Sequence, residues 1–140
     1  PLRTREQAEE MLQPLQTPDV MPDFKWWGIE LKAEGRLIGT CGYCRWDRQH
    51  RRAEIGYDLW PDCWGQGLMP EALRALLRYG FAEMGLNRVE ATTHTENRQS
   101  QRVLEKLGFQ REGVLRAYYR RGSAYTDQVV ISLLRNEWNE

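Results

Sequence analysis

The sequence predicts one mixed α/β domain, of the α+β kind, in which a mostly antiparallel sheet carries flanking helices. Three observations lead there. Three strand-like segments between Trp26 and Leu59 follow one another with short connections, which suits an antiparallel meander. Apolar residues from Met69 to Met84 keep the helical period and stand between two strand-like segments, which calls for a parallel crossover. A second helical pattern over Arg98–Leu107 then precedes two final strands.

Each element has its own signal. Thr4–Leu15 sets Ala8, Met11, Leu12 and Leu15 at helical spacing with Glu6, Glu9 and Glu10 between them, so a helix is expected there. Pro14, Pro18 and Pro22 then enforce a turn-rich connection. Trp26–Leu31 and Arg36–Cys44 read as strands hinged at Glu34-Gly35, and Asp47–Arg52 as a charged hairpin turn. Ala53–Leu59 is a third strand, with Ile55, Tyr57 and Leu59 on one face and Glu54, Gly56 and Asp58 on the other. Pro70 suits the first turn of the Met69–Met84 helix. Arg88–Thr93 returns to strand character, and Gly108 closes the second helix as an αL residue would. Strands over Gly113–Tyr119 and Thr126–Leu134 flank the turn Arg121-Gly122-Ser123.

Composition narrows the function classes. The 140 residues include 41% hydrophobic residues, so a chain of this length buries about 68–70% of its unfolded surface without needing disulfides or a structural metal. Lys plus Arg equal Asp plus Glu at 20 each, and a broadly basic nucleic-acid binder is excluded. No window approaches the roughly 18 apolar residues of a membrane span, and no secretory signal opens the chain, so a cytoplasmic protein is expected. The odd cysteine count, Cys41, Cys44 and Cys63, fits free thiols. Cys41 and Cys44 form a C-x-x-C, but on a strand positions three apart face opposite ways, so buried thiols are expected rather than a zinc or redox pair.

The segment richest in chemistry runs from Leu59 to Ala72. A strand enters a loop holding Gly65 and Gly67, and a long helix follows at once. Such glycines let a backbone approach a ligand, and a helix start offers unsatisfied N–H groups and a positive dipole end. This suits a pyrophosphate, although a tight strand-to-helix turn explains an isolated G-x-G equally well. No Gly-Lys-Ser/Thr follows, and the third glycine of a dinucleotide fingerprint is absent. Asn97-Arg98-Gln99-Ser100 opens the second helix, and Asn97 alone would be read as its cap.

Together these segments resemble the GNAT superfamily of acetyl-CoA-dependent N-acetyltransferases, and within it the RimJ/RimL branch that acetylates ribosomal-protein N termini. The likeness rests on Ala53-Glu54-Ile55-Gly56-Tyr57, on Trp64 through Ala72, on Asn97 with Ser100 and Glu105–Phe109, and on Asp127 with Ser132–Trp138. It implies a GNAT-type sheet whose strand–loop–helix unit binds acetyl-CoA. The backbone of Trp64, Gly65, Gln66, Gly67, Leu68 and Met69 would hold the pyrophosphate. Leu59 and Trp60 would pair with the pantetheine arm, Asn97 would contact the same arm, and splayed strands would hold the thioester. The resemblance also implies that the chain starts at the family's second helix, without the strand and helix before it; family members often pair, so a homodimer is one assembly it allows, and nothing in the pattern decides it.

Two departures from the family pattern matter. The phosphate signature begins with Gln or Arg where this chain has Asp62, and Met69 stands beyond its second glycine. The tyrosine that many members carry seven residues after the asparagine is Leu104 here, so Ser100, one turn earlier on the same face, inherits the role of protonating the leaving thiolate. Glu54 matches the position of the general base, which must take a proton because an ammonium has no lone pair; the alternative is a surface strand residue paired with Arg51 or Arg52. Tyr118 and Tyr119 are read as packing residues that could line the acceptor cleft, and Trp26, Trp27, Trp46 and Trp138 as core or rim. His50 and His94 have no partner that suggests a triad. The run Arg116–Arg121 is a solvated hairpin face able to steer an acidic acceptor. The expected reaction is direct acetyl transfer to a primary amine, first a peptide or ribosomal-protein N terminus. A small polyamine or aminoglycoside-like amine is the second choice, and a non-catalytic acyl-CoA-binding module is the rival.

Overall fold

The computed structural model describes residues 12–14 and 23–139. Its strands are β1 (Leu12–Pro14), β2 (Lys25–Leu31), β3 (Arg36–Asp47), β4 (Arg52–Leu59), β5 (Arg88–His94), β6 (Gln110–Arg121) and β7 (Ala124–Leu134). Helix α1 (Leu68–Ala82) joins β4 to β5, and α2 (Arg98–Lys106) joins β5 to β6. One-turn 3₁₀ helices sit at Pro61–Cys63 and Arg135–Glu137. The sheet order is β1-β2-β3-β4-β5-β7-β6. Among the described residues, every strand pairing is antiparallel except β4 with β5, as the long helical crossover requires.

One expectation fails at the start of the chain. Leu12, Gln13 and Pro14 do not end a helix; they form an edge strand against Ile29, Gly28 and Trp27 of β2. Pro14 explains the choice, since proline breaks a helix interior but costs an edge strand nothing on its unpaired side. The rest of the expected Thr4–Leu15 helix lies outside the described residues, as do Pro18 and Pro22. Elsewhere the strands run longer than their patterns suggested. β3 continues through a bulge between Cys44 and Asp47, β5 takes in His94, and β6 begins at Gln110.

Both helices cover the same face of the sheet. Tyr43, opposite Ile55, donates from its hydroxyl to the Leu76 carbonyl of α1 at 2.8 Å. Tyr57, on the same face of β4, meets Ser100 of α2. Ala72, Leu73, Leu76, Leu77 and Phe81 of α1 pack with Ile38, Ile55, Val89, Ile131 and Leu133 into one core. Each of these side chains larger than alanine contributes about 1.5–3 kcal/mol by leaving water.

The other face, called open below, carries Glu54, Gly56 and Asp58. Cys44 lies opposite Glu54 on that face, whereas Cys41 lies opposite Tyr57 on the helix face, so the two thiols of the C-x-x-C point apart. All three cysteines are free, and burial pushes the Cys41 thiol up to about 12. Among the described residues no helix is long and apolar enough to cross a membrane.

Candidate active site

The loop between β4 and α1 is shaped by backbone. After the 3₁₀ turn, Gly65 and Gly67 both adopt φ of +74°, which L side chains rarely take, and beyond the adjoining residues no described atom lies within 4 Å of where either Cβ would point. Gly67 caps α1 without a side-chain acceptor, so no cap side chain answers the first N–H groups of the helix, which have no intrahelical partner. Asp62 turns away from them. Arg36 at the start of β3 donates to its Oδ2 at 3.0 Å and to Cys63 Sγ at 3.3 Å, and this guanidinium holds the Asp62 carboxyl below its usual range. Gln66 closes the turn by donating to the Asp62 carbonyl at 3.1 Å. The negative charge at the signature's first position is thus answered by a cation from the sheet.

Below this loop the sheet divides. β4 and β5 pair only at Arg52/Arg88, Ala53/Val89 and Glu54/Glu90. Beyond them a cleft of about 640 Å³ opens, walled by Ile55–Leu59 of β4, Ala91–His94 of β5 and the loop and first turn of α1. Trp60 donates its backbone N–H to the Ile38 carbonyl at 2.8 Å, so Trp60 faces β3. By strand alternation the backbone groups of Leu59 and Tyr57 face the cleft. The Leu59 carbonyl is held there by the indole Nε1 of Trp64, which donates to it at 2.6 Å.

The two faces of the cleft carry different chemistry. On the helix face the Tyr57 hydroxyl is hydrogen-bonded to Ser100 Oγ, and burial raises the Tyr57 pKa against the opposing pull of that bond. Asn97 Oδ1 accepts from the Ser100 N–H at 3.1 Å, fixing the first turn of α2 as a cap while its amide group borders the cleft. On the open face Thr92 donates to Glu54 Oε1 at 3.3 Å, and Arg45 lies 3.5 Å from Oε2. Arg45 takes a φ of 52° at the β3 bulge, which aims its guanidinium at both Glu54 and the Tyr118 hydroxyl. The Glu54 side chain is only 14% exposed, so it is not the solvated strand residue of the alternative, and its cation is Arg45 rather than Arg51 or Arg52.

Trp26 completes that face. It lies across Gly42 and Gly56, and a Cβ on Gly56 would come within 2.8 Å of Trp26 Cη2. Phe24 stacks on it at 5.0 Å.

These features fit acetyl-CoA part by part. The uncapped helix start suits a pyrophosphate, the cleft-facing strand groups suit an amide-bearing arm, and the splay suits a thioester between two hydroxyls and a carboxylate. The acetyltransferase (GNAT) domain family matches residues 1–110. The chain belongs to the GNAT acetyltransferase family. It is 39% identical to the uncharacterised N-acetyltransferase p20 of Bacillus licheniformis over 94% of this chain and 74% of that protein. To the uncharacterised N-acetyltransferase YoaA of Bacillus subtilis it is 45% identical over 74% of this chain and 59% of that protein. The solved ribosomal-protein-S5-alanine acetyltransferase of Vibrio fischeri superposes with a TM-score of 0.77 at 27% identity, covering 84% of this chain and 65% of that one. The chain therefore spans about three fifths to three quarters of the length of such relatives.

Of the residues expected to hold the donor in this GNAT domain, Leu59, Trp64, Gly65, Gly67, Leu68, Met69, Asn97 and Ser100 all border the cleft. Trp60 and Gln66 do not. The Trp60 amide is used by β3 and its ring lies 6.0 Å from Arg36, while the Gln66 side chain is turned back on its own loop. Glu54 stands just outside and reaches the cleft through Thr92. Among the further residues that border the cleft without having been singled out for it are Tyr57, Thr92, His94 and Gln128. Tyr57 was legible in principle, two residues before Leu59 on the same strand face.

Proposed function

We propose that this domain belongs to an acetyl-CoA-dependent N-acetyltransferase that moves the acetyl group directly to the N-terminal amine of a peptide or protein, with ribosomal proteins as the leading class. The observation that carries this reading is the cleft itself. It runs from the uncapped start of α1 to a splay with Ser100 on one face of the sheet and Glu54 on the other. Acetyl-CoA, when bound, supplies the activated acetyl group. Glu54, positioned by Thr92 and Arg45, takes a proton from the incoming ammonium so that nitrogen has a free pair. A C–N bond would then form as the C–S bond breaks, Ser100 giving a proton to the departing sulfur and recovering one from the Tyr57 hydroxyl, while the second proton shed by the new amide nitrogen returns to Tyr57, which burial keeps protonated between turnovers. The similarity to a ribosomal-protein-S5-alanine acetyltransferase supports the acceptor class, and three free thiols suit the reducing cytoplasm.

Calorimetric titration with acetyl-CoA, followed by thiol-release assays on an alanyl peptide, spermidine and an aminoglycoside, tests this. Binding with turnover of the peptide is expected. Binding without turnover of any amine would leave an acyl-CoA-binding module, and no binding would overturn both. Glu54→Gln should remove the acid limb of the pH–rate profile; an unchanged profile would take Glu54 out of the base role.

A further inference from the structure

Gln128 sits on β7 opposite His94 of β5 and Leu115 of β6, and apolar Val129, Val130 and Ile131 follow it along the strand. It is only 2% exposed, yet it borders the cleft. Its Nε2 is fully buried and has no hydrogen-bond partner among the described residues. An orphaned buried donor of this kind is costly and is tolerated where its acceptor arrives from outside. Its face says which molecule brings that acceptor. Gln128 lies opposite His94, two residues beyond Thr92 on the same side of β5, and Thr92 holds Glu54. Gln128 therefore lines the cleft on the same side of the sheet as Thr92 and the base that Thr92 holds.

We infer that Gln128 donates a hydrogen bond to the carbonyl oxygen next to the reacting amine, and so selects an α-amino amide, the N terminus of a peptide, over a polyamine or simple alkylamine. A polyamine carries only donors when protonated and would leave the Gln128 N–H unpaired; a peptide presents its first carbonyl a few bonds from the nitrogen. A site built to hydrogen-bond a substrate group rejects analogues that lack it far more strongly than an apolar pocket rejects a missing methylene. The inference rests on the acetyltransferase reading and on the open face as the acceptor side.

Gln128→Leu removes the donor and keeps an apolar side chain of similar reach. With an alanyl peptide amide, kcat/KM should fall about 10- to 100-fold, carried by KM. Turnover of an alkylamine of matching size should stay within about threefold, and the acetyl-CoA Kd should not move. The thermal midpoint of the ligand-free protein should rise by a few degrees, because a buried unpaired donor has gone. A residue needed only for packing would lower that midpoint instead.

Equal losses on peptide and alkylamine, or none on either, would overturn the inference. So would a wild-type protein that turns over the alkylamine as well as the peptide. A weaker acetyl-CoA Kd would assign the amide to the donor's carbonyl rather than the acceptor's and overturn it too. Should Gln128→Leu fold poorly, Gln128→Glu, which replaces the donor by an acceptor at the same place, must show the same selective loss. If the wild type acetylates no amine at all, the acetyltransferase reading fails first, and the midpoint shift still reports whether the donor is orphaned.

Discussion

β5 has two neighbours and treats them differently. Against β7 it pairs antiparallel along its whole length, from Arg88/Leu134 to His94/Gln128. Against β4 it pairs through three residues and then parts. The β7 seam is sealed by Val129, Ile131 and Leu133, all fully buried, and is tied to β6 where Arg88 reaches over Ser132 to Glu112. Along the β4 seam the ladder groups that β5 leaves unpaired are the ones that face the cleft. One strand thus serves as anchor on one edge and as a wall of the proposed active site on the other. Stability and function are divided between the two seams, and substitutions should separate them.

The largest effect belongs to the sealed seam. Ile131→Ala should cost about 2–5 kcal/mol of unfolding free energy in a denaturant titration, the usual range for an aliphatic truncated in a packed core. The protein that remains folded should bind acetyl-CoA with unchanged Kd. At the open seam the signs reverse. Ser100→Ala should lower kcat about 100-fold or more, as expected for loss of a general acid, while KM for acetyl-CoA stays within about threefold. Its unfolding free energy should change by less than about 1 kcal/mol, since Asn97 still caps α2 through the backbone N–H of residue 100. Comparable stability losses in both variants would erase the division.

How much of this could be read from the sequence follows the same line. The helical period of α1, the alternation in β4 and the length of the crossover give the parallel seam, because local periodicity and connection length decide them. The glycine loop and Asn97 were legible because backbone conformations and caps leave residue-type signatures. The orphaned amide of Gln128 was not, since its significance depends on three strands meeting around it. Arg36 as the partner of Asp62 and Arg45 as the partner of Glu54 were hidden likewise. The first pair joins positions 26 residues apart, and the second depends on a bulge with no signature in the run Cys44-Arg45-Trp46. The helix expected over Thr4–Leu15 failed where described because a helical period is weaker information than a proline beside a free sheet edge.

A smaller effect sharpens what the open seam costs. Trp64 spends its indole N–H on the Leu59 carbonyl, a group on the strand edge expected to meet the pantetheine arm. Trp64→Phe removes that competitor and keeps an aromatic ring beside the cleft. Acetyl-CoA should then bind about 2- to 10-fold tighter, the range for one net hydrogen bond of roughly 0.5–1.5 kcal/mol. Calorimetry reads this directly. Weaker binding would mean that the indole itself holds the ligand, and that the carbonyl stays covered in the complex.

The smallest effect returns to the sealed seam and depends on pH. The Arg88 guanidinium, with two bonds of 2.6 and 2.9 Å, and then the Ser132 hydroxyl hold the Glu112 carboxyl below its usual range. A carboxyl depressed in the folded state binds fewer protons there than in the unfolded chain, so its contribution is complete above the ordinary glutamate value near ~4.3. It is lost as pH falls through the lower folded value. The Glu112 side chain is 41% exposed, so solvent screens the pair and the effect should stay below about 1 kcal/mol. Thermal midpoints of the wild type should therefore decline more steeply than those of Glu112→Gln as pH is lowered from about 5 toward 3. Parallel curves would show that the clamp across β7 contributes nothing measurable. The sealed seam would then be held by its apolar side chains alone, which is the condition under which Ile131→Ala must show its full cost.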